Sequence, residues 1–107
     1  MNGLMMEMPL LIKNIAHHAE SLHGDREIVS ISVDGAKHRY TFKDSMIRAR
    51  KVSSILNRIG ISKFGRVGTL AWNSYKHLEL YYGVSCSERV LHTINPRLFE
   101  ECPKSSL

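Results

Sequence analysis

Only two of the 107 residues are cysteine, Cys86 and Cys102, three are proline and one is tryptophan. Two cysteines make no disulfide framework. Each is expected as a reduced thiol, which fits a reducing compartment, the cytoplasm. A Cys86–Cys102 bridge is not favoured. The longest apolar run, Met8 to Ile12, stops at Lys13, far short of the ~18 residues that span a bilayer. A cationic leader with a small-residue cleavage site is missing, so no signal peptide is expected. Glycine stands at position 3 rather than 2, which excludes the myristoylation pattern. Ser105-Ser106-Leu107 lacks the lysine of a peroxisomal Ser-Lys-Leu address.

The glycines form neither a P-loop nor a dinucleotide fingerprint. Gly65 and Gly68 lead into an apolar run instead of leaving one for a helix, so they are not placed to cradle phosphate. Gly68 is expected to allow close backbone approach within a sheet. No Cys-x-x-Cys or His-x-x-x-His occurs. Of the six histidines, His17 and His18 are adjacent, His23 follows five positions after His18, and His38, His77 and His92 lie in separate segments. None of that is zinc-ligand spacing, so surface or hydrogen-bonded core histidines are expected.

What is present fits one small soluble domain: 43% hydrophobic, 23% charged, net charge +5. The densest basic stretch runs from Lys43 through Arg48, Arg50 and Lys51 to Arg58. No aromatics are interleaved with it, so a solvated helix face is favoured over nucleic-acid binding.

Periodicity predicts the elements. Pro9 suits a first helical turn, and Leu11, Ile15, Ala19 and Leu22 share one face, giving a helix over about 10–22. Gly24 is expected to end it in a left-handed conformation. Val29, Ile31 and Val33 alternate with Ser30 and Ser32. Asp34-Gly35 then signals a two-residue turn, and Tyr40 and Phe42 continue the alternation, so 27–42 reads as a β-hairpin. Thr41 and Asp44 resemble a capping box. Met46, Ala49, Val52, Leu56 and Ile59 hold helical spacing to Gly60, giving a second helix over about 43–59.

Val67 to Trp72 is nearly continuous and apolar, as in a strand buried on both faces of a parallel sheet. Asn73-Ser74 supplies a turn and N-cap for a helix to about Cys86, and Val90–Ile94 reads as a second strand before Asn95-Pro96. Strand, helix and strand in this span make a right-handed βαβ unit, so the fold class is α/β. Cys86 is expected as a buried, inert thiol rather than a nucleophile paired with histidine. Trp72, at the carboxyl end of a strand, is placed for a ligand crevice, though core packing is favoured.

Three blocks then arrive in order: His38-Arg39-Tyr40-Thr41-Phe42; Arg66 to Ser74 with His77 to Tyr82; and Val90 to Leu98, which reads Val-Leu-His-Thr-Ile-Asn-Pro-Arg-Leu. Together they resemble the N-terminal region of adenylate-forming acyl-CoA synthetases, closest to the medium- and long-chain fatty-acyl branch, over nearly all of residues 1–99. The resemblance implies part of a large layered α/β domain. It also implies a parent reaction using fatty acid, ATP, Mg²⁺ and coenzyme A, through an acyl-adenylate.

The departures are as informative. The Thr/Ser/Gly-rich phosphate loop, the adenine and ribose motifs and the C-terminal adenylation lysine have no counterpart here. No catalytic, cofactor-binding or metal residue is carried over, and the matching blocks are scaffold. Where the family commonly has Pro-Gly-Asp before its Arg-Val strand, this chain has Lys63-Phe64-Gly65. A Gly-Ala pair before Val-Leu is replaced by Glu88-Arg89, after Ser87. Buried and unpaired, those charges would cost several kcal/mol.

The expected organisation is a loose lead-in over 1–8, a partial synthetase region over 9–98 and a divergent tail over 99–107, as in a truncated or frameshifted reading frame. The expected role is a synthetase fragment, inactive alone and marginally stable. The alternative is a freestanding basic α/β module that binds a protein partner through an exposed sheet edge.

Overall fold

The computed structural model describes residues 3–98. The order is α1 (Ile12–His23), β1 (Glu27–Ile31), β2 (Lys37–Thr41), α2 (Phe42–Arg58), β3 (Arg66–Leu70), α3 (Tyr75–Ser85) and β4 (Val90–Ile94). β1 and β2 pair antiparallel; β3 and β4 pair parallel across α3, so the α/β class and the βαβ pairing are present. Cys102 and the tail over 99–107 lie outside the described residues, as do residues 1 and 2.

α2 carries the core. Its N-cap is a full capping box: Thr41 Oγ1 accepts from the Asp44 N–H at 3.2 Å, and the Asp44 carboxylate accepts from the Thr41 N–H at 3.2 Å. Met46, Ala49 and Leu56 face inward, and α3 meets this side with the fully buried Val84. Gly60, at φ 81°, closes the helix as anticipated.

Other local expectations are corrected. α1 begins at Ile12, because Leu11 is extended and its carbonyl accepts the Asn14 N–H at 3.0 Å, so Pro9 precedes the helix. Gly24 is right-handed, at φ −55°. What it provides is clearance, since a Cβ there would stand 2.5 Å from the Glu20 carbonyl oxygen. The hairpin turn has three residues between Ser32 and Ala36. The Gly35 N–H bonds the Ser32 carbonyl at 2.9 Å, and only Gly35, not Asp34, takes positive φ. Ser74 caps α3 without its side chain; the first N–H, on Tyr75, donates to Ser30 Oγ at 3.0 Å.

Burial departs further. The stripe of α1 bearing Leu11, Ile15 and Leu22 is exposed, while Ala16 is the residue it buries. β3 ends at Leu70 and is not buried on both faces: Thr69 is covered, whereas Leu70 is 67% exposed. Trp72 is half-exposed rather than in the core. Gly68 is not tightly approached, since a Cβ there would only touch Ile94 Cδ1 at 3.7 Å. The departures at Leu70, Trp72 and Gly68 follow from a two-stranded sheet with α3 as its main cover.

Candidate functional site

The carboxyl ends of β3 and β4 open into a crevice of about 470 Å³, lined by Trp72, Asn73, His77, Asn95 and Arg97 among others. The Arg97 guanidinium lies 5.5 Å from the Trp72 ring centroid, a cation–π pair at a wet surface. The Asn95 side chain accepts the Arg97 N–H at 2.9 Å and so turns the chain back toward Trp72. His77 faces the strand, with Nε2 3.2 Å from Thr69 Oγ1. A crevice stands at Trp72, where the sequence reading favours core packing. The Arg97 partner was not anticipated, because no local pattern links positions 72 and 97.

A second groove, of about 190 Å³, separates α1 from α2 and α3 and is lined by Lys13, His17, Glu20, Arg50, Tyr82 and Cys86 among others. Arg50 closes one wall by a bidentate bond to Glu20, at 2.7 and 2.8 Å. That hydrogen bond, above all, holds the Glu20 carboxyl below its ordinary 4.5. Cys86 is a free, partly buried thiol. Burial pushes its pKa up, against a smaller opposing pull from the Lys13 charge. A raised pKa favours the unreactive thiol form.

Between hairpin and helices lies a polar cluster. The Glu79 carboxylate is buried and accepts from Arg48 Nε at 2.6 Å. Tyr40 OH donates to the buried Ser45 Oγ at 3.2 Å, and burial raises the Tyr40 phenol above its usual range. The ring of His38 stacks on Tyr75 at 3.7 Å. Two arginines of the basic stretch, Arg48 and Arg50, are therefore ion-paired rather than part of a purely solvated face; Lys43, Lys51 and Arg58 are exposed.

The histidines do not gather. His18 and His23 meet edge-on at 5.7 Å, His17 lines the groove, and His92 is exposed on β4. Among the described residues, no group of three His, Cys, Asp or Glu side chains is placed to hold a metal ion. The described residues therefore do not fit a Mg²⁺ site. Glu88 is exposed and bonds Lys63 at 2.7 Å, whereas Arg89 is buried. Its guanidinium donates to the Ile61 and Ser87 carbonyls and to Asn57 Oδ1, so the burial feared from the sequence is satisfied by neutral acceptors. Among the described residues, no helix is long and apolar enough to cross a membrane.

Comparison with known proteins gives one consistent result. The family of AMP-binding enzymes matches residues 15–102. A 3-methylmercaptopropionyl-CoA ligase of Ruegeria lacuscaerulensis is 46% identical over 101 residues, which is 94% of this chain and 19% of that protein. A medium-chain-fatty-acid–CoA ligase of Ectopseudomonas oleovorans is also 46% identical over 101 residues, 94% of this chain and 18% of that protein. A crystal structure from Rhodopseudomonas palustris, named as a long-chain-fatty-acid CoA ligase, superposes with a TM-score of 0.69 at 29% identity, covering 84% of this chain and 22% of that one. The chain thus spans about a fifth of the length of the relatives it matches.

Proposed function

The chain belongs to the AMP-binding enzyme family, and from that premise we propose that it is a scaffold portion of a fatty-acyl-CoA ligase, without catalysis of its own. The carrying observation is a collinear match over 94% of this chain to only 18% of a medium-chain-fatty-acid–CoA ligase. In the proposed parent reaction a fatty-acid carboxylate attacks the α-phosphorus of ATP. Acyl-adenylate forms and pyrophosphate leaves. The coenzyme A thiolate then displaces AMP from the acyl carbon, leaving acyl-CoA.

The described residues supply none of the reacting groups for those steps. Their contribution is the packed unit of α2, α3 and the β3–β4 pair, which sets the carboxyl ends of two parallel strands side by side. Proteins of open α/β sheets place ligands at such ends. The cytoplasm is the proposed compartment, consistent with the free thiol of Cys86.

The test is ATP–pyrophosphate exchange with the purified 107-residue chain and a medium- or long-chain fatty acid. Exchange at the no-protein background is expected. Fatty-acid-dependent exchange by the chain alone would overturn its non-catalytic role.

A further inference from the structure

β4 has one strand edge paired and one open. The Val90 N–H donates to the Gly65 carbonyl at 3.0 Å, so position 90 turns its main-chain groups toward β3. Strand alternation turns positions 92 and 94 the same way, while Leu91 and Thr93 turn their N–H and C=O groups outward. Among the described residues no strand pairs with that outer edge, because the sheet has two strands, β3 and β4. The described chain after β4 leaves toward the β3 side, where Arg97 lies over Trp72.

Open edges in proteins are usually blunted by charge, proline or interruption of the strand. β3 is blunted in this way, since Arg66 and Gly68 hold outward main-chain positions. β4 reads Val-Leu-His-Thr-Ile, with no Lys, Arg, Asp, Glu, Pro or Gly, and three of its residues are β-branched. The edge is also self-complementary. A second β4 laid antiparallel about a two-fold axis through His92 sets Leu91 opposite Thr93 of the second copy. Those two residues exchange N–H and C=O groups, and the symmetry repeats the exchange, giving about four main-chain hydrogen bonds. On the face away from α3, Val90, which is 48% exposed, meets Ile94 of the second copy, again twice. Such β-branched cross-strand pairs are favourable, and no charge on one strand opposes a charge on the other. A strand of another sequence would have to match this spacing by chance; a second copy matches it by symmetry.

We propose that the outer edge of β4 is a self-recognition surface: two copies of the chain pair antiparallel through Leu91 and Thr93, with His92 on the two-fold axis, to make one four-stranded sheet. The contact is isologous and consumes the edge it forms on, so it closes at a dimer. The strand has five residues, so the contact is small and the dimer is weak and concentration-dependent. The inference concerns the 107-residue chain and does not depend on the parent reaction proposed above.

The experiment joins sedimentation equilibrium of the full chain to disulfide trapping. His92→Cys and Thr93→Cys are made separately with Cys86→Ser and Cys102→Ser, and each protein is oxidised mildly. Across the axis the two 92 positions form a non-hydrogen-bonded pair with Cα atoms about 4.5 Å apart, within disulfide reach. The two 93 positions stand about 8 Å apart, beyond it. Cross-linking at 92 is therefore expected to be about tenfold or more faster than at 93. Thr93→Pro removes an outward N–H and leaves the β3 ladder whole, and His92→Lys sets like charges on the axis. Each is expected to shift the chain to monomer with its circular dichroism unchanged. Should Thr93→Pro fail to fold, His92→Lys still decides, because His92 is exposed. A parent chain that stays monomeric at its highest soluble concentration overturns the proposal. Equal cross-linking at 92 and 93 overturns the register and the proposal with it. A dimer that survives His92→Lys lies on another surface and overturns it as well. Open-ended aggregates do the same, because the contact then does not close.

Discussion

The backbone N–H of Phe64 donates to the carbonyl of Glu88 at 2.7 Å, and both residues hold a left-handed φ, 61° and 59°. They are the two non-glycine residues of positive φ among those described. Each starts the approach to a strand of the parallel pair, and the Val90 N–H bonds the Gly65 carbonyl alongside at 3.0 Å. An L side chain in this region costs about 1–2 kcal/mol through its Cβ. Both residues lie in stretches where the sequence departs from the family resemblance, Lys63-Phe64-Gly65 and Glu88-Arg89, although their backbone strain was not anticipated.

Replacing either residue by glycine is therefore expected to stabilise the chain. Phe64→Gly loses a side chain that is 79% exposed, and Glu88→Gly loses one exposed ion pair with Lys63. Glycine's greater unfolded-state entropy offsets part of the gain, leaving about 0.5–1 kcal/mol each. Urea denaturation of the two single variants and the double variant checks this. The double is expected to fall short of additivity, since the residues are in contact. A lower midpoint in both singles would show that the turns carry no strain.

Gly83 is constrained differently. A Cβ on it would stand 2.7 Å from the Ala49 carbonyl oxygen and 2.7 Å from Val52 Cβ. Neither atom can move without shifting α2. Gly83→Ala raises helix propensity by about 1 kcal/mol, but the overpacking outweighs it. A net loss of about 1–2 kcal/mol is expected, read as a lower urea midpoint at unchanged slope. A midpoint at or above that of the parent chain would mean that α2 and α3 separate freely.

How much of this was legible in advance depends on range along the chain. The Thr41–Asp44 box and the Val90–Ile94 strand are decided by residues within a few positions of one another, and both are present; Asp34-Gly35 marked the place of the hairpin turn but not its three-residue length. The outward stripe of α1 was not legible. Leu11, Ile15 and Leu22 define an apolar face, but which face meets α2 is decided by the small Ala16 and by the Glu20–Arg50 pair, thirty positions apart. The crevice shows the same division. The place of Trp72 near a strand end was readable, although its exposure was not, whereas Arg97 reaches it only through the parallel pairing of β3 with β4.

Burial separates two arginine pairs of similar length. Arg48 Nε reaches Glu79 at 2.6 Å, and Arg39 Nη1 reaches Glu27 at 2.7 Å. The Glu79 side chain is 6% exposed and the Glu27 side chain 47%. Arg48→Ala strands a buried carboxylate and is expected to cost about 1–3 kcal/mol. Arg39→Ala leaves its partner in water and should cost under about 0.5 kcal/mol. Thermal unfolding of the two variants side by side measures the contrast, and equal losses would refute it.

The Glu20–Arg50 pair supplies a pH dependence of known sign. Arg50 hydrogen bonding, aided by the charges of His17 and Lys43, holds the folded-state carboxyl below 4.5. Because the folded value is depressed, the pair's stabilisation is complete above the unfolded value. It is lost as pH falls through the folded one. The side chains are 60% and 23% exposed, so the contribution is screened to about 0.5–1 kcal/mol. Glu20→Gln is therefore expected to be less stable than the parent chain by that amount above the ordinary carboxyl value of 4.5, the gap closing as pH falls through the depressed folded-state value. The gap should also shrink in high salt, since Arg50 stands largely in solvent. Denaturation midpoints across that range, with and without added salt, check both statements. Parallel curves for the two proteins would mean that α1 is held by Ala16 and its neighbours alone.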